Sequence, residues 1–160
     1  MNKEPYVVTV LPGDGIGPEV MDATLNVLAA TGVPFKWDRL VIGEAANRLN
    51  LPGLPDFAVH SIRRHGVAIK GPTATPQGGG HRSINVRLRE EFNLALNVRP
   101  IKSTPKKTRY SDVSIDMLIF RMNLGDLYIG EEREIPGGVE AVARSTEAEC
   151  EAYATIAFAS

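Results

Sequence analysis

Tyr6-Val7-Val8-Thr9-Val10-Leu11, then Pro12-Gly13-Asp14-Gly15-Ile16-Gly17-Pro18, is the stretch that decides the fold class. A short run of apolar and β-branched residues bounded by turn signals fits a buried strand. The glycines after it permit a tight turn. Pro18 suits the first position of a helix, where its missing N–H would have no partner anyway. From Glu19 onward, Val20, Thr24, Val27 and Leu28 recur at helical spacing, and Gly32 is a natural stop. Strand, glycine turn and helix together open an α/β unit.

Working outward, Phe35 to Ile42 reads as a second strand, with Phe35, Trp37 and Val41 alternating against Lys36 and Asp38. Pro55 to His65 predicts a helix with Phe57, Ala58 and Ile62 inward, and Val67 to Lys70 a further strand. Residues 71–82 are rich in Gly and Pro and predict a loop. Ser83 can cap a helix running through Phe92, followed by strands at Ala95 to Val98 and Ile115 to Phe120. The β-α-β-α-β order argues for an α/β fold with a largely parallel sheet flanked by helices. Val139 to Arg144 alternates like a strand, and Thr146-Glu147-Ala148-Glu149 spells a capping box. Cys150, Tyr153, Ala154 and Ala157 form the stripe of the helix that follows. Ser160 ends the chain with no Gly, Pro or basic last turn, so it reads as cut within an element. No internal repeat is visible.

The composition is that of a globular protein of one domain or pieces of two: 160 residues, 43% hydrophobic and 23% charged. A net charge of −1 supplies no global pull toward nucleic acid or an anionic membrane. Any anion binding must come from local clustering of Lys and Arg. Cys150 is the only cysteine, so no intrachain disulfide can form and no oxidising compartment is implied. No apolar run approaches the ~18 residues of a membrane span. The start, Met1 to Pro5, lacks a signal-peptide pattern, so a cytoplasmic location is expected. The basic run Lys102 to Arg109 has no interleaved aromatics and reads as a solvated loop rather than a nucleic-acid contact. His60, His65 and His81 have no cysteine partners, which argues against zinc, although His81 beside the glycine run is a candidate ligand or base.

Two constellations could carry chemistry. A helix amino terminus after a glycine turn can hold a phosphate. Here, however, the spacing is G-x-G-x-G and Pro18 removes an amide donor, so a structural turn is the better reading. The second is stronger. Ser83, Asn85 and Arg89 lie at the start of one helix, and Asn85 and Arg89, four apart, share a face. Arg99 and Arg121 each end a predicted strand, with the same polarity expected for both. Ligands of open α/β sheets collect at carboxyl ends of strands. Three guanidiniums there would suit a ligand with several carboxylates, each gripped by two parallel bonds. Singly, each arginine reads as a solvated surface residue; the trio is what weakens that alternative. Tyr128, seven residues beyond Arg121, can contribute a phenol to the same cleft, though a lone tyrosine is more often a packing residue.

The segments 11–20 (LPGDGIGPEV), 70–100 (KGPTATPQGGGHRSINVRLREEFNLALNVRP) and 115–130 (IDMLIFRMNLGDLYIG) closely resemble the β-decarboxylating 2-hydroxyacid dehydrogenases. That family comprises the isocitrate, isopropylmalate and homoisocitrate enzymes. The similarity covers nearly the whole chain, with gaps around 43–54 and 101–111, and the wording GGGHRSIN is most like NAD-dependent isocitrate dehydrogenases. The resemblance implies that Ser83 and Asn85 contact isocitrate, that Arg89, Arg99 and Arg121 bind its carboxylates, and that Tyr128 serves in proton transfer. It places Thr75 beside the nicotinamide of NAD or NADP and has Ile16, with Asn85, line the cofactor cleft. The family reaction oxidises a hydroxyl by hydride transfer and then releases CO₂, with Mg²⁺ or Mn²⁺ as Lewis acid.

By the same resemblance, residues 1–100 begin the large α/β domain, and 101–160 begin the small domain with its clasp. The family's catalytic lysine, metal-binding aspartates and most adenosine contacts lie beyond position 160. The expectation is therefore a substrate-binding half, inactive alone, in a homo-oligomer or with a partner chain that supplies the rest. Where the family usually has Glu-Asn and then another acidic residue after the strand-end arginine, this chain has Arg121-Met122-Asn123-Leu124-Gly125-Asp126. That departure keeps open a catalytically dead isocitrate-binding or regulatory homologue, and a remnant that retains only the fold.

Overall fold

The computed structural model describes residues 4–74, 83–103 and 113–159. They fall into two compact units, Met1–Asn85 and Val86–Ser160.

The first unit is built on β1 (Tyr6–Leu11), α1 (Gly17–Ala29), β2 (Phe35–Arg39), α2 (Glu44–Arg48), α3 (Asp56–His65) and β3 (Ala68–Lys70). The strands form a parallel sheet in the order β2-β1-β3. Tyr6 stands opposite Phe35, and Leu11 opposite Lys70. Parallel neighbours need a crossover, which α1 supplies from β1 to β2 and α2 with α3 from β2 to β3. The central strand is covered on both faces: Val8, Thr9, Val10 and Leu11 are all buried. Hence its sequence is a continuous apolar run rather than an alternation. Met21, Ile42, Ala46, Leu54, Ala58 and Val59 complete the core. Ile42 is thus a core residue beyond the end of β2, which is shorter than the sequence pattern predicts.

A polar chain fixes α3 on this sheet. The Thr9 hydroxyl meets Ser61 Oγ at 2.6 Å, Ser61 donates to Asp38 Oδ2 at 2.5 Å, and His65 Nε2 lies 3.4 Å from that same oxygen. Burial of Thr9 and Ser61 is tolerable because each hydroxyl is bonded.

The glycine turn is a packing device. A Cβ on Gly13 would overlap the Pro72 carbonyl oxygen, and one on Gly17 the Pro12 carbonyl oxygen. The amides of Asp14 and Gly17 bond to Pro72 O and Asp14 O. These groups are spent inside the protein rather than offered to a phosphate. Buried between them, the Asp14 carboxylate accepts the N–H of Glu44 at 2.7 Å and of Ala74 at 2.8 Å. It therefore ties the β1–α1 turn both to the start of α2 and to the segment after β3.

The second unit takes up most of α4 (Ile84–Glu91), which begins in the first unit, then β4 (Leu96–Lys102) and β5 (Asp116–Met122). A single 3-10 turn covers Leu127–Ile129, β6 (Glu132–Ile135) and β7 (Gly138–Ala141) form an antiparallel hairpin, and α5 spans Glu147–Phe158. The strands β4 and β5 are antiparallel, which corrects the expectation of a shared polarity. A parallel return would need a long crossover, usually helical, and the connection 103–115 carries no helical stripe. Arg99 is accordingly mid-strand rather than at a strand end. Position 100, the expected domain boundary, lies within β4. The capping box opens α5 as its sequence predicts: Thr146 Oγ1 accepts the Glu149 N–H, and the Glu149 carboxylate accepts the Thr146 N–H. The Thr146 hydroxyl, which donates to Glu149 Oε2 at 2.8 Å, and after it the Thr146 N–H hold the Glu149 carboxyl below its ordinary value. Among the described residues no helix is long and apolar enough to cross a membrane.

Asp14→Ala would strand two amides in a buried setting, at a cost of about 3 kcal/mol. The expected result in urea denaturation is a midpoint lowered accordingly with an unchanged slope; an unaltered midpoint would remove Asp14 as the tie between these segments.

Candidate functional site

The site begins with a register. Asn97 pairs with Arg121 across the β4–β5 ladder, and Arg99 pairs with Ile119. Because side chains alternate, Arg99 and Arg121 stand on one face as diagonal neighbours, roughly 7–8 Å apart at the backbone. Asn97 Oδ1 accepts a bond from Arg99 Nε at 3.3 Å and so holds that side chain. Tyr128, on the 3-10 turn that follows β5, completes the group. Arg121 Cζ lies 5.2 Å from the centre of its ring, and Arg89 Cζ, from α4, lies 5.9 Å from the same centre. A guanidinium at such a distance is held by the ring quadrupole.

Arg99, Arg121 and Tyr128 line one open cavity of about 580 Å³, together with Ile119, Phe120, Met122, Asp126 and Ser145. That volume is within the range of small-molecule sites. Among the described residues neither Arg89 nor Arg121 has a carboxylate partner, whereas Arg39, Arg48, Arg133 and Arg144 are each ion-paired. Arg99 and Arg121 thus bring two positive charges to the cavity against the one carboxylate of Asp126.

The other sequence-predicted residues stand elsewhere. Ser83 immediately precedes α4, and Asn85 is on its first turn, one turn before Arg89. Ile16 is the exposed residue that caps α1. Thr75 and His81 lie outside the described residues. Lys70, at the end of β3, was not singled out by sequence. It is half-buried and donates to Gly71 O at 2.7 Å and Thr73 Oγ1 at 3.3 Å, fastening the backbone that leads to Thr75. Burial lowers its pKa, opposed by the nearby charge of Asp14.

Asp126 was likewise missed. It adopts φ 59° and ψ −139°, a conformation that favours glycine, and its backbone pairs with Arg144. The preceding Gly125 packs beside Met122, whose sulfur would have to shift to admit a side chain at 125. Among the described residues no three His, Cys, Asp or Glu side chains gather to hold a metal ion.

A βαβ unit with a packed glycine turn, joined to an arginine-lined cavity that holds a tyrosine, places the chain with the dehydrogenases it resembles. Residues 7–160 match the isocitrate/isopropylmalate dehydrogenase family, and the chain belongs to that family. The NAD isocitrate dehydrogenase catalytic subunit 5 of Arabidopsis thaliana mitochondria is 43% identical over 136 residues, which are 84% of this chain and 36% of that protein. The NADP isocitrate dehydrogenase of Thermus thermophilus is 42% identical over 79% of this chain and 26% of its own length. A chloroplastic 3-isopropylmalate dehydrogenase from Solanum tuberosum is 41% identical over 82% of this chain and 36% of its own. The crystal structure of isocitrate dehydrogenase from Methylococcus capsulatus superposes with a TM-score of 0.85 at 38% identity, covering 96% of this chain and 46% of that one. The chain thus spans between about a quarter and just under half of the length of these relatives.

Proposed function

We propose that this chain is the substrate-binding part of an NAD- or NADP-dependent isocitrate dehydrogenase, acting in oxidative decarboxylation of isocitrate to 2-oxoglutarate together with residues it does not itself contain. The observation that carries the reading is the cavity in which Arg99, Arg121 and Tyr128 meet, with Arg89 over the tyrosine ring and, among the described residues, no carboxylate on Arg89 or Arg121. Isopropylmalate and isocitrate enzymes among the relatives are nearly equal in identity, so the choice of isocitrate rests on the wording Ser83-Ile84-Asn85.

In this reading Arg99 and Arg121 grip carboxylates by paired bonds and fix the substrate's orientation. Arg89 does the same from α4, with Ser83 just before that helix and Asn85 on its first turn. Tyr128 holds a proton at its phenol oxygen beside the bound acid. A bound nicotinamide would supply the hydride acceptor, and Ile16 and Thr75 are the residues proposed to hold it. The glycine turn does not fit a pyrophosphate cradle, because its amides and close contacts are used within the protein. Among the described residues no cluster of three or more His, Cys, Asp or Glu side chains fits Mg²⁺ or Mn²⁺. A cytoplasmic location belongs to the same proposal.

Association is the second element. Val98, Ile101, Met117, Leu118 and Ile119 are exposed on the β4–β5 pair, Phe158 on α5 is 91% exposed, and Val20 and Val27 are exposed on α1. Apolar surface on this scale favours a partner, either another copy or a chain that completes the enzyme. Sedimentation should give a dimer or larger species at micromolar concentration, and a stable monomer would contradict it.

Isocitrate at 100 times its dissociation constant should add about 2.7 kcal/mol of stability to the wild-type chain, read as a rise in Tm. Arg121→Ala should remove that rise while leaving the ligand-free Tm nearly unchanged. A full isocitrate response in Arg121→Ala would refute the cavity as the substrate site.

A further inference from the structure

Among the described residues Asp126 is the one acidic residue that lines the arginine cavity. Its carboxylate is not used elsewhere: it makes no capping bond to the 3-10 turn it precedes, and among the described residues it has no hydrogen bond or ion pair. Arg144, whose backbone it pairs with, has its own guanidinium engaged by Glu131 at 2.5 Å. The backbone is held at φ 59° and ψ −139°, where a residue with a Cβ is strained and glycine is not. A strained residue that serves neither capping nor ion pairing, and that lines a ligand-sized cavity, points to a role in that cavity.

We propose that Asp126 is a charge-selectivity residue: its unpaired carboxylate opposes each ligand carboxylate and lowers the preference for tricarboxylates over dicarboxylates that the arginines alone would give. This rests on the reading of the cavity as a carboxylate site. The physics is pairwise repulsion in a partly solvated setting. Every carboxylate added to the ligand gains from Arg99 and Arg121 and loses against Asp126, and the loss grows with ligand charge. Specificity commonly comes from such a repulsive element rather than from attraction alone.

The test is isothermal titration of the wild-type chain, Asp126→Asn and Asp126→Gly with isocitrate and with malate, at low salt and at 1 M NaCl. Asparagine keeps the shape and tolerates the positive φ, so it isolates charge. At low salt Asp126→Asn should tighten isocitrate by about fivefold and malate by about twofold, the scale of exposed charge pairs. In 1 M salt, where the screening length is about 3 Å, the two ratios should converge toward one. Asp126→Gly should give the same ratios and also raise Tm by a few degrees through relief of strain, on the order expected for such a residue.

Wild-type and Asp126→Asn chains that bind both acids with equal affinities would overturn the selectivity role and leave the arginine cavity standing. A gain equal for the two ligands, or one that persists in 1 M salt, would also overturn it, because it would mark a change of shape. Wild-type and variants that bind neither acid at millimolar concentration would bring down the carboxylate reading itself, and this proposal with it.

Discussion

The pairing of Asn97 with Arg121 across two antiparallel strands is the constraint on which the site depends. A slip of one residue would send either arginine to the opposite face, since the side-chain period of a strand is two. With the observed register, Arg99 and Arg121 share a face and Tyr128 lies within reach of Arg121 and of Arg89 from α4. Like charges so placed repel one another, and the tyrosine ring offsets only part of that, about 0.5–1 kcal/mol for an exposed contact. On the proposed reading a carboxylate ligand would supply the rest. Among the described residues Arg89 and Arg121 have no carboxylate partner, as a site kept for an anion would require.

The first unit solves a different problem with similar economy. Its glycines let backbone approach backbone, and the buried Asp14 carboxylate gathers two amides from distant segments. Lys70 fastens the same loop from β3. The segment leading to Thr75 is thereby held at its base by an anion and a cation, neither of which needs to touch a ligand. The exposed apolar residues on both units support the proposal that the chain associates.

Much of this is written in local sequence. The buried strand at Tyr6–Leu11, the helices at Gly17–Ala29 and Asp56–His65 and the capping box at Thr146 follow from periodicity and end signals, which act over a few residues. The polarity of β5 against β4 does not, because strand pairing is non-local and both strands read alike in either direction. The hairpin partner Glu132–Ile135 is exposed at every position and lacks a buried face to announce it. α2, five residues long, is too short to show a stripe. Among site residues, the arginines and Tyr128 were legible as chemistry, whereas their convergence needed the register. Asp126 and Asp14 were hidden for opposite reasons. The first looks like an ordinary loop acid until its φ is known, and the second like a turn residue until its amide partners appear.

The most direct measurement is a crystal structure of the chain with isocitrate bound. The cavity as described requires carboxylate oxygens within about 3 Å of the guanidinium nitrogens of both Arg99 and Arg121. Isocitrate bound away from the β4–β5 face, or those two guanidiniums turned to protein carboxylates while the ligand sits elsewhere, would contradict it.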